Sequence, residues 1–386
     1  MNSSESDFRA KTGKLSGSPR TKGRGSQFNP KPRFHRLELH AESQAEPGDD
    51  QEWLECDGTP VNGGPATAAR TVPTEYFLDD AKSVVSENSS PDIPFRYSLN
   101  PYRGCAHGCS YCFARPTHEY YDLSAGLDFE SKIFVKQQAP ELFRDWLARD
   151  HYEPETVAIS GVTDCYQPIE RQLELTRRCL QVALEARQPI AIVTKNALVT
   201  RDVEILRAMA ALQLVKVAIS ITSLDQSLIK VMEPRTGSPA AKLRAMQVLS
   251  SAGIPVHAMV APVIPGLTDH EIPRILQAAK EAGARSASYI LLRLPLTVEP
   301  VFLEWLARTQ PGKRALVESR IRATRGGNLY ESEFGVRMRG RGEIADQIGR
   351  SFHVFSRRYE LDQPSPTLDT TQFRRPVPSS GQRWLF

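Results

Sequence analysis

Between residues 95 and 300 the chain alternates short apolar, β-branched runs with longer stretches whose apolar positions recur at helical spacing. The runs Tyr97–Tyr102, Thr156–Ser160, Ile190–Thr194, Val215–Ile221, Val256–Val260 and Ser288–Leu292 predict strands. Ala139–Arg149, Glu170–Ala186, Arg201–Leu212, Ala240–Ala252 and Glu271–Ala282 predict the intervening helices. In the second of these Leu173, Leu180, Ala183 and Leu184 fall on or near one face. Gly253 and Gly283 stand just past two helices, where a left-handed cap is expected. Strands that are each followed by a helix demand parallel pairing with right-handed crossovers. The fold class is therefore α/β. Periodicity alone leaves two closures open, a doubly wound sheet or a barrel-like (β/α)6 sheet.

The flanks read differently. Residues 1–70 are rich in Ser, Gly, Lys, Arg and Pro and sparse in apolar residues, so a disordered arm is expected there. The arm is basic through Lys11, Lys14, Arg20, Lys22, Arg24, Lys31, Arg33 and Arg36, then acidic over 41–57. Such an arm is either a solubilising tail or a contact for nucleic-acid phosphates. Residues 71–299 form the core. Residues 300–363 form a helical extension (Val301–Thr309, Lys313–Thr324, Ile344–Arg358) broken at Gly326-Gly327-Asn328, and the Pro-, Ser- and Thr-rich tail 364–386 is expected to be mobile.

Composition narrows the picture slightly. The net charge of +4 is too mild to argue for nucleic acid by itself. Three of the six cysteines are clustered, while Cys56, Cys165 and Cys179 are scattered, which is no disulfide framework. Reduced thiols suit a reducing compartment, and cytoplasmic localisation is expected. The first residues carry no apolar signal, and no stretch approaches the length of a membrane span.

The clustered cysteines carry the chemistry. Cys105, Cys109 and Cys112 have the spacing CxxxCxxC, with Tyr111 before the last. Three thiolates on one loop can hold three corners of an iron–sulfur cubane and leave one iron open. With His107 or His118 as fourth ligand they can instead hold zinc. A third reading is unligated core cysteines.

CxxxCxΦC, with Φ aromatic, resembles the signature of the radical S-adenosylmethionine (SAM) superfamily. Asn100-Pro-Tyr-Arg-Gly, Ala114-Arg115-Pro116-Thr117-His118 and Thr163-Asp164-Cys165-Tyr166-Gln167-Pro168 are similar to its spore photoproduct lyase-related, DNA-repair-photolyase-like branch. The resemblance implies a partial TIM-type (β/α)6 barrel with chemistry at the C-terminal strand ends. It implies a [4Fe–4S] cluster on Cys105, Cys109 and Cys112, with SAM on the open iron and Tyr111 near the adenine. One-electron cleavage of SAM would then give a 5′-deoxyadenosyl radical that abstracts hydrogen from a substrate. A flavodoxin- or ferredoxin-like electron donor is the implied partner, and no membrane partner is expected.

The strand ends offer the grip on SAM. Thr163 and Asp164 stand where the superfamily carries a glycine-rich segment for the methionine amine. Lys195 is placed to pair with the SAM carboxylate, the alternative being a solvated lysine at a helix start. Ser220 and Thr222 share one face of their strand and suit ribose hydroxyls, or else local backbone groups. Glu233 and Arg235 match a pair that lies near SAM in relatives; the alternative is an exposed ion pair. Val263 and Ile264 sit in Ala261-Pro262-Val263-Ile264-Pro265-Gly266, similar to an adenine-binding Gly-x-Ile-x-Gly segment with Pro262 replacing the first glycine. Arg293 is a candidate substrate contact. Cys165 is expected at the lumen mouth, as hydrogen-atom donor or as a passive small residue.

Three functions follow. The first is a radical SAM enzyme acting on a nucleic-acid lesion, supported by the lyase resemblance, the basic arm and Arg337, Arg339 and Arg341. The second keeps the chemistry but acts on a peptide or small metabolite. The third is a non-catalytic zinc-containing nucleic-acid-binding protein.

Overall fold

The structure is a computed structural model that describes residues 21–33 and 72–381. Its strands are β1 (Glu75–Leu78), β2 (Val85–Glu87), β3 (Tyr97–Leu99), β4 (Tyr102–Arg103), β5 (Lys132–Val135), β6 (Val157–Ile159), β7 (Ile190–Thr194), β8 (Val215–Ser220), β9 (Val256–Val263) and β10 (Ser286–Leu291). The main sheet runs β10-β9-β8-β7-β6-β3-β2. From β3 to β10 every pairing in it is parallel, while β2 adds antiparallel to the outer edge of β3. The two edge strands, β2 and β10, do not meet, so the partial TIM-type barrel implied by the sequence is present and open. Among the described residues no helix is long and apolar enough to cross a membrane.

Alternation along each strand sets the layers. Ile190 and Ile192 of β7, Val215, Val217 and Ile219 of β8, and Val256, Ala258 and Val260 of β9 are buried in one apolar layer. Against them pack Ile205, Leu206 and Met209 of the helix Val203–Ala211 and Ile272, Ile275 and Leu276 of the helix Ile272–Glu281. Each such side chain larger than alanine contributes roughly 1.5–3 kcal/mol by leaving water. The opposite strand face turns Val193, Ser220, Met259 and Ala261 into the lumen. Gly253 (φ +80) and Gly283 (φ +89) take the left-handed cap positions that end two helices.

Several boundaries differ from the sequence reading. Pro101 ends the first strand early, and Tyr102–Arg103 joins a separate three-stranded sheet of order β1-β5-β4. The predicted helix Glu170–Ala186 is two pieces, Glu170–Leu173 and Leu175–Glu185, broken at Glu174 (φ +50). The break lets the Glu170 carboxylate accept the Thr176 N–H at 3.1 Å, capping the second piece.

Two segments expected to be loose are packed. Residues 21–33 lie against the cysteine loop, with Arg24 and Ser26 buried. The rest of the expected arm, with Cys56, lies outside the described residues. Residues 361–381 cross the floor of the barrel at the N-terminal strand ends. The Leu361 carbonyl accepts the Ala287 N–H at 2.8 Å, the Asp369 N–H donates to the Gln213 carbonyl at 3.0 Å, and the Arg374 N–H donates to the Ala186 carbonyl at 2.8 Å. The Phe373 ring meets Tyr152 edge-on, 5.4 Å between centroids. These contacts hold what composition alone assigns to a mobile tail.

Candidate active site at the cysteine loop

The loop Cys105–Cys112 leaves β4 and is braced from below. The Cys105 N–H donates to the Phe129 carbonyl at 3.0 Å and the Ser110 N–H to the Met232 carbonyl at 3.0 Å. Buried Gln167 accepts the Ala106 N–H at 3.0 Å. Thr163 Oγ1 donates to the Tyr102 carbonyl at 2.9 Å. Asp164 accepts from Thr194 Oγ1 (2.8 Å), the Lys195 N–H (2.8 Å) and the Tyr166 N–H (2.9 Å). The segment from Thr163 to Gln167 therefore ties the cysteine loop to the ends of β6 and β7.

The three thiols open on a cavity of about 190 Å³ at the C-terminal ends of the parallel strands. Thr163, Asp164, Lys195 and Ser220 line it, together with Tyr111, Ala261, Pro262 and Arg293. Burial pushes the thiols of Cys105, Cys109 and Cys112 up, so a ligand that holds them as thiolates must bring positive charge. Neither histidine supplies a fourth ligand. His107 Nε2 is 3.1 Å from Asn196 Nδ2, and its Nδ1 faces Asp164 at 3.5 Å. His118 turns away, with Nε2 2.9 Å from the Lys132 carbonyl and its ring edge-on to Phe129 and Phe134. Among the described residues no three Cys, His, Asp or Glu side chains gather as closely as a single ion requires. Three thiols beside a largely apolar cavity that Lys195 and Asp164 reach, with both neighbouring imidazoles engaged elsewhere, fit a cubane that leaves one iron to a small ligand.

Beside the thiols lies a buried charge cluster. Lys195 Nζ donates to Ser220 Oγ (2.7 Å) and the Ala261 carbonyl (2.9 Å), and stands 3.2 Å from Thr222 Oγ1 and 3.5 Å from Glu233 Oε1. Tyr111 directs its hydroxyl to Glu233 and holds its ring 5.5 Å from Lys195 Nζ. Lys242, which nothing in the sequence singles out, reaches Glu233 Oε2 at 2.6 Å. Burial alone would raise the Glu233 carboxyl, but Lys195 and Lys242 hold it well below the usual carboxylate range. Two ammonium groups on one carboxylate leave a surplus positive charge next to the cavity.

Other expected site residues lie elsewhere. Cys165 does not reach the lumen mouth. It is fully buried in the main core, its thiol beside Ser160 and Thr176, because the turn after β6 does not continue the strand's alternation. Arg235 points outward and donates to Thr74 Oγ1 at 2.9 Å. Val263 and Ile264 pack into apolar clusters, while Ala261 and Pro262 of the same segment face the cavity. Arg293 stands at the rim, its guanidinium 5.4 Å from the ring of half-exposed Phe113 and its Nε buried without a hydrogen-bond partner. The basic cluster near 340 is largely neutralised: Arg337 pairs with Asp92 at 2.5 Å, Arg341 pairs with Glu331 at 2.7 Å, and Arg339 covers Tyr289.

Comparison with known proteins agrees with this geometry. The family model described as the radical SAM superfamily matches residues 99–279. An uncharacterized protein of Mycobacterium tuberculosis is 38% identical over 221 residues, which are 57% of this chain and 65% of that protein. The chain thus matches somewhat under two thirds of that relative's length. An uncharacterized protein of Methanocaldococcus jannaschii is 31% identical over 197 residues, 51% of this chain and 71% of that protein. Among solved structures, a cysteine-to-serine variant of spore photoproduct lyase superposes with a TM-score of 0.55 at 17% identity, covering 76% of this chain and 85% of that one. The same enzyme complexed with dinucleoside spore photoproduct gives 0.54 at 17% identity, covering 78% and 85%. At that identity the likeness is one of fold.

Proposed function

The chain belongs to the radical SAM superfamily, and we propose that it uses the cavity beside Cys105, Cys109 and Cys112 to abstract hydrogen from a nucleic-acid lesion or a nucleotide-like substrate. The cofactors of the superfamily are a [4Fe–4S] cluster and SAM; when bound, they supply one-electron cleavage of the sulfonium and the hydrogen-abstracting power that follows. The electron must come from outside, and a flavodoxin- or ferredoxin-like protein is the proposed donor.

This chain's own residues bind, orient and shelter. Cys105, Cys109 and Cys112 would hold the cluster. Lys195, with the surplus charge around Glu233, would receive the SAM carboxylate, and Ser220 would receive ribose hydroxyls. Tyr111 and Pro262 would flank the remainder of the cofactor. The apolar walls given by Val193, Met259 and Ile290 keep water from a reactive centre. The observation that carries the reading is that three thiols border the same cavity as Lys195, an ammonium that shares the buried Glu233 carboxylate with Lys242.

The nucleotide target draws support from two features. Spore photoproduct lyase, whose fold this chain shares, has been solved with a dinucleoside photoproduct. At the cavity rim Arg293 and Phe113 offer a phosphate partner and a stacking face. A base must leave its stack to reach such a cavity. The arm contributes less than its composition suggests, since Arg24 is buried in the fold and Arg33 pairs with Glu119.

Anaerobic reconstitution tests the chemistry. We expect about four irons per chain and, with a strong reductant, methionine and 5′-deoxyadenosine from SAM. Cys109→Ala should abolish both. Deuterium passing from a labelled lesion-containing oligonucleotide into 5′-deoxyadenosine would support the nucleotide target. Cofactor cleavage with neither label transfer nor salt-dependent DNA binding would turn the reading to a peptide or small metabolite.

A further inference from the structure

The cysteine loop is clasped by a segment that precedes it by some eighty residues in sequence. The Gly25 N–H donates to Glu130 Oε2 at 3.0 Å and the Ser26 N–H to Glu130 Oε1 at 2.7 Å. Arg24 sends Nη1 to the Glu130 carbonyl at 2.5 Å and Nη2 to the Val72 and Pro73 carbonyls at 2.7 and 3.0 Å. Glu130 also pairs with Arg115, which donates from Nε and Nη2 to the Cys109 carbonyl at 3.0 and 2.8 Å. Arg115, Glu130 and Ser26 are fully buried. One carboxylate thus joins the segment to the guanidinium that holds a metal-loop carbonyl.

The fit is close enough to need glycine. A Cβ on Gly25 would stand 1.8 Å from the Gly108 carbonyl oxygen and 3.2 Å from the Ser110 nitrogen. Those are loop backbone atoms between Cys105 and Cys112, so a side chain at 25 must displace either the segment or the loop.

We propose that Arg24, Gly25 and Ser26, with Glu130 and Arg115, form a strap that fixes the cysteine loop in its metal-holding conformation. The segment before the core is then a positioning part of the metal site. It neither touches the cavity nor acts on substrate. A metal-bearing loop that must keep one corner open cannot be fixed by a fourth ligand. Backbone clamps are the remaining means, as outer-shell hydrogen bonds are for other metal sites. The strap rests on the reading above only for the identity of the metal.

Thiol alkylation of the metal-free full-length protein, mapped by mass spectrometry, tests it independently of cluster and activity. In Gly25→Ala and Glu130→Gln we expect Cys105, Cys109 and Cys112 to be modified at least about tenfold faster than in the parent, through easier local opening. Cys165 and Cys179 should stay protected in both, while the thermal midpoint should fall in Glu130→Gln, where buried Arg115 loses its ionic partner, and nearly hold in Gly25→Ala. Gly312→Ala, where a Cβ meets nothing within 4 Å, should behave as the parent. In reconstituted protein, iron loss to a chelator should accelerate in the same two variants. If either variant fails to fold, Arg24→Met decides by the same footprint. Parent-like rates at the three loop thiols overturn the strap. A parent that takes up no iron, yet shows the alkylation difference, overturns the cofactor reading and leaves the strap standing.

Discussion

Lys242 Nζ lies 2.6 Å from Glu233 Oε2, with both side chains shut off from solvent. The pair leaves the other carboxylate oxygen to Thr222 Oγ1 at 2.6 Å and to the Tyr111 hydroxyl, so Glu233 is satisfied before Lys195 is counted. Lys195 is therefore the ammonium that can turn to a ligand without stranding a charge. Lys242→Met removes that freedom. A buried pair broken on one side costs about 3–5 kcal/mol. Here Lys195 remains to compensate, so the low end of that range is expected in a denaturation curve, together with weaker SAM binding.

Lys195→Met should separate binding from folding. Lys242 still neutralises Glu233, so the thermal midpoint should fall little. SAM affinity measured by calorimetry should drop by about 10- to 100-fold, the loss of one charge-assisted contact of about 1.4–2.8 kcal/mol. An unchanged affinity would return Lys195 to a purely internal role.

Acid should weaken the fold in a window set by two histidines. Burial lowers His118 and His257 to about 4, far below their usual value. Each is neutral when folded and gains a proton more readily when unfolded. Unfolding stability thus rises with pH between about 4 and 6.5, and is lost as pH falls through that interval. For His118 the contribution is on the order of 3 kcal/mol. His118→Gln should roughly halve the slope of the stability profile from pH 4 to 6.5, leaving the part due to His257; a profile that keeps its full slope would contradict the assignment.

Cys165→Ala is expected to lower stability by about 1 kcal/mol, as removal of a small buried group does. SAM cleavage and product identity should not change, because the thiol faces the core. An altered product distribution would restore it as hydrogen donor.

The sequence discloses what is local. The cysteine loop is a spacing within eight positions, and Ser220 and Thr222 follow from the two-residue strand period that turns both toward Lys195. The strand cores were legible because β-branched runs between helices leave few pairings. Partnerships made across the fold were not legible. Glu130 and Gly25 are 105 positions apart and meet only because a short helix, Leu127–Ser131, presents the carboxylate beside the loop. Lys242 stands on a helix whose alternation gives no cue to a buried ammonium. The burial of Cys165 was not legible because its turn obeys hydrogen bonds, its N–H donating to Ser160 Oγ and its carbonyl accepting from Thr176 Oγ1, rather than strand geometry. The small sheet β1-β5-β4 escaped for a similar reason: its strands are short and drawn from three separated stretches.

Residues 361–381 cross the underside of the barrel opposite the cavity. A ribosome makes them after every strand and after all three cysteines. A nascent chain can thus present its metal-binding loop while the lumen is still open below. Delivery of iron and sulfur before residues 361–381 dock would meet a looser vessel than delivery after they have docked.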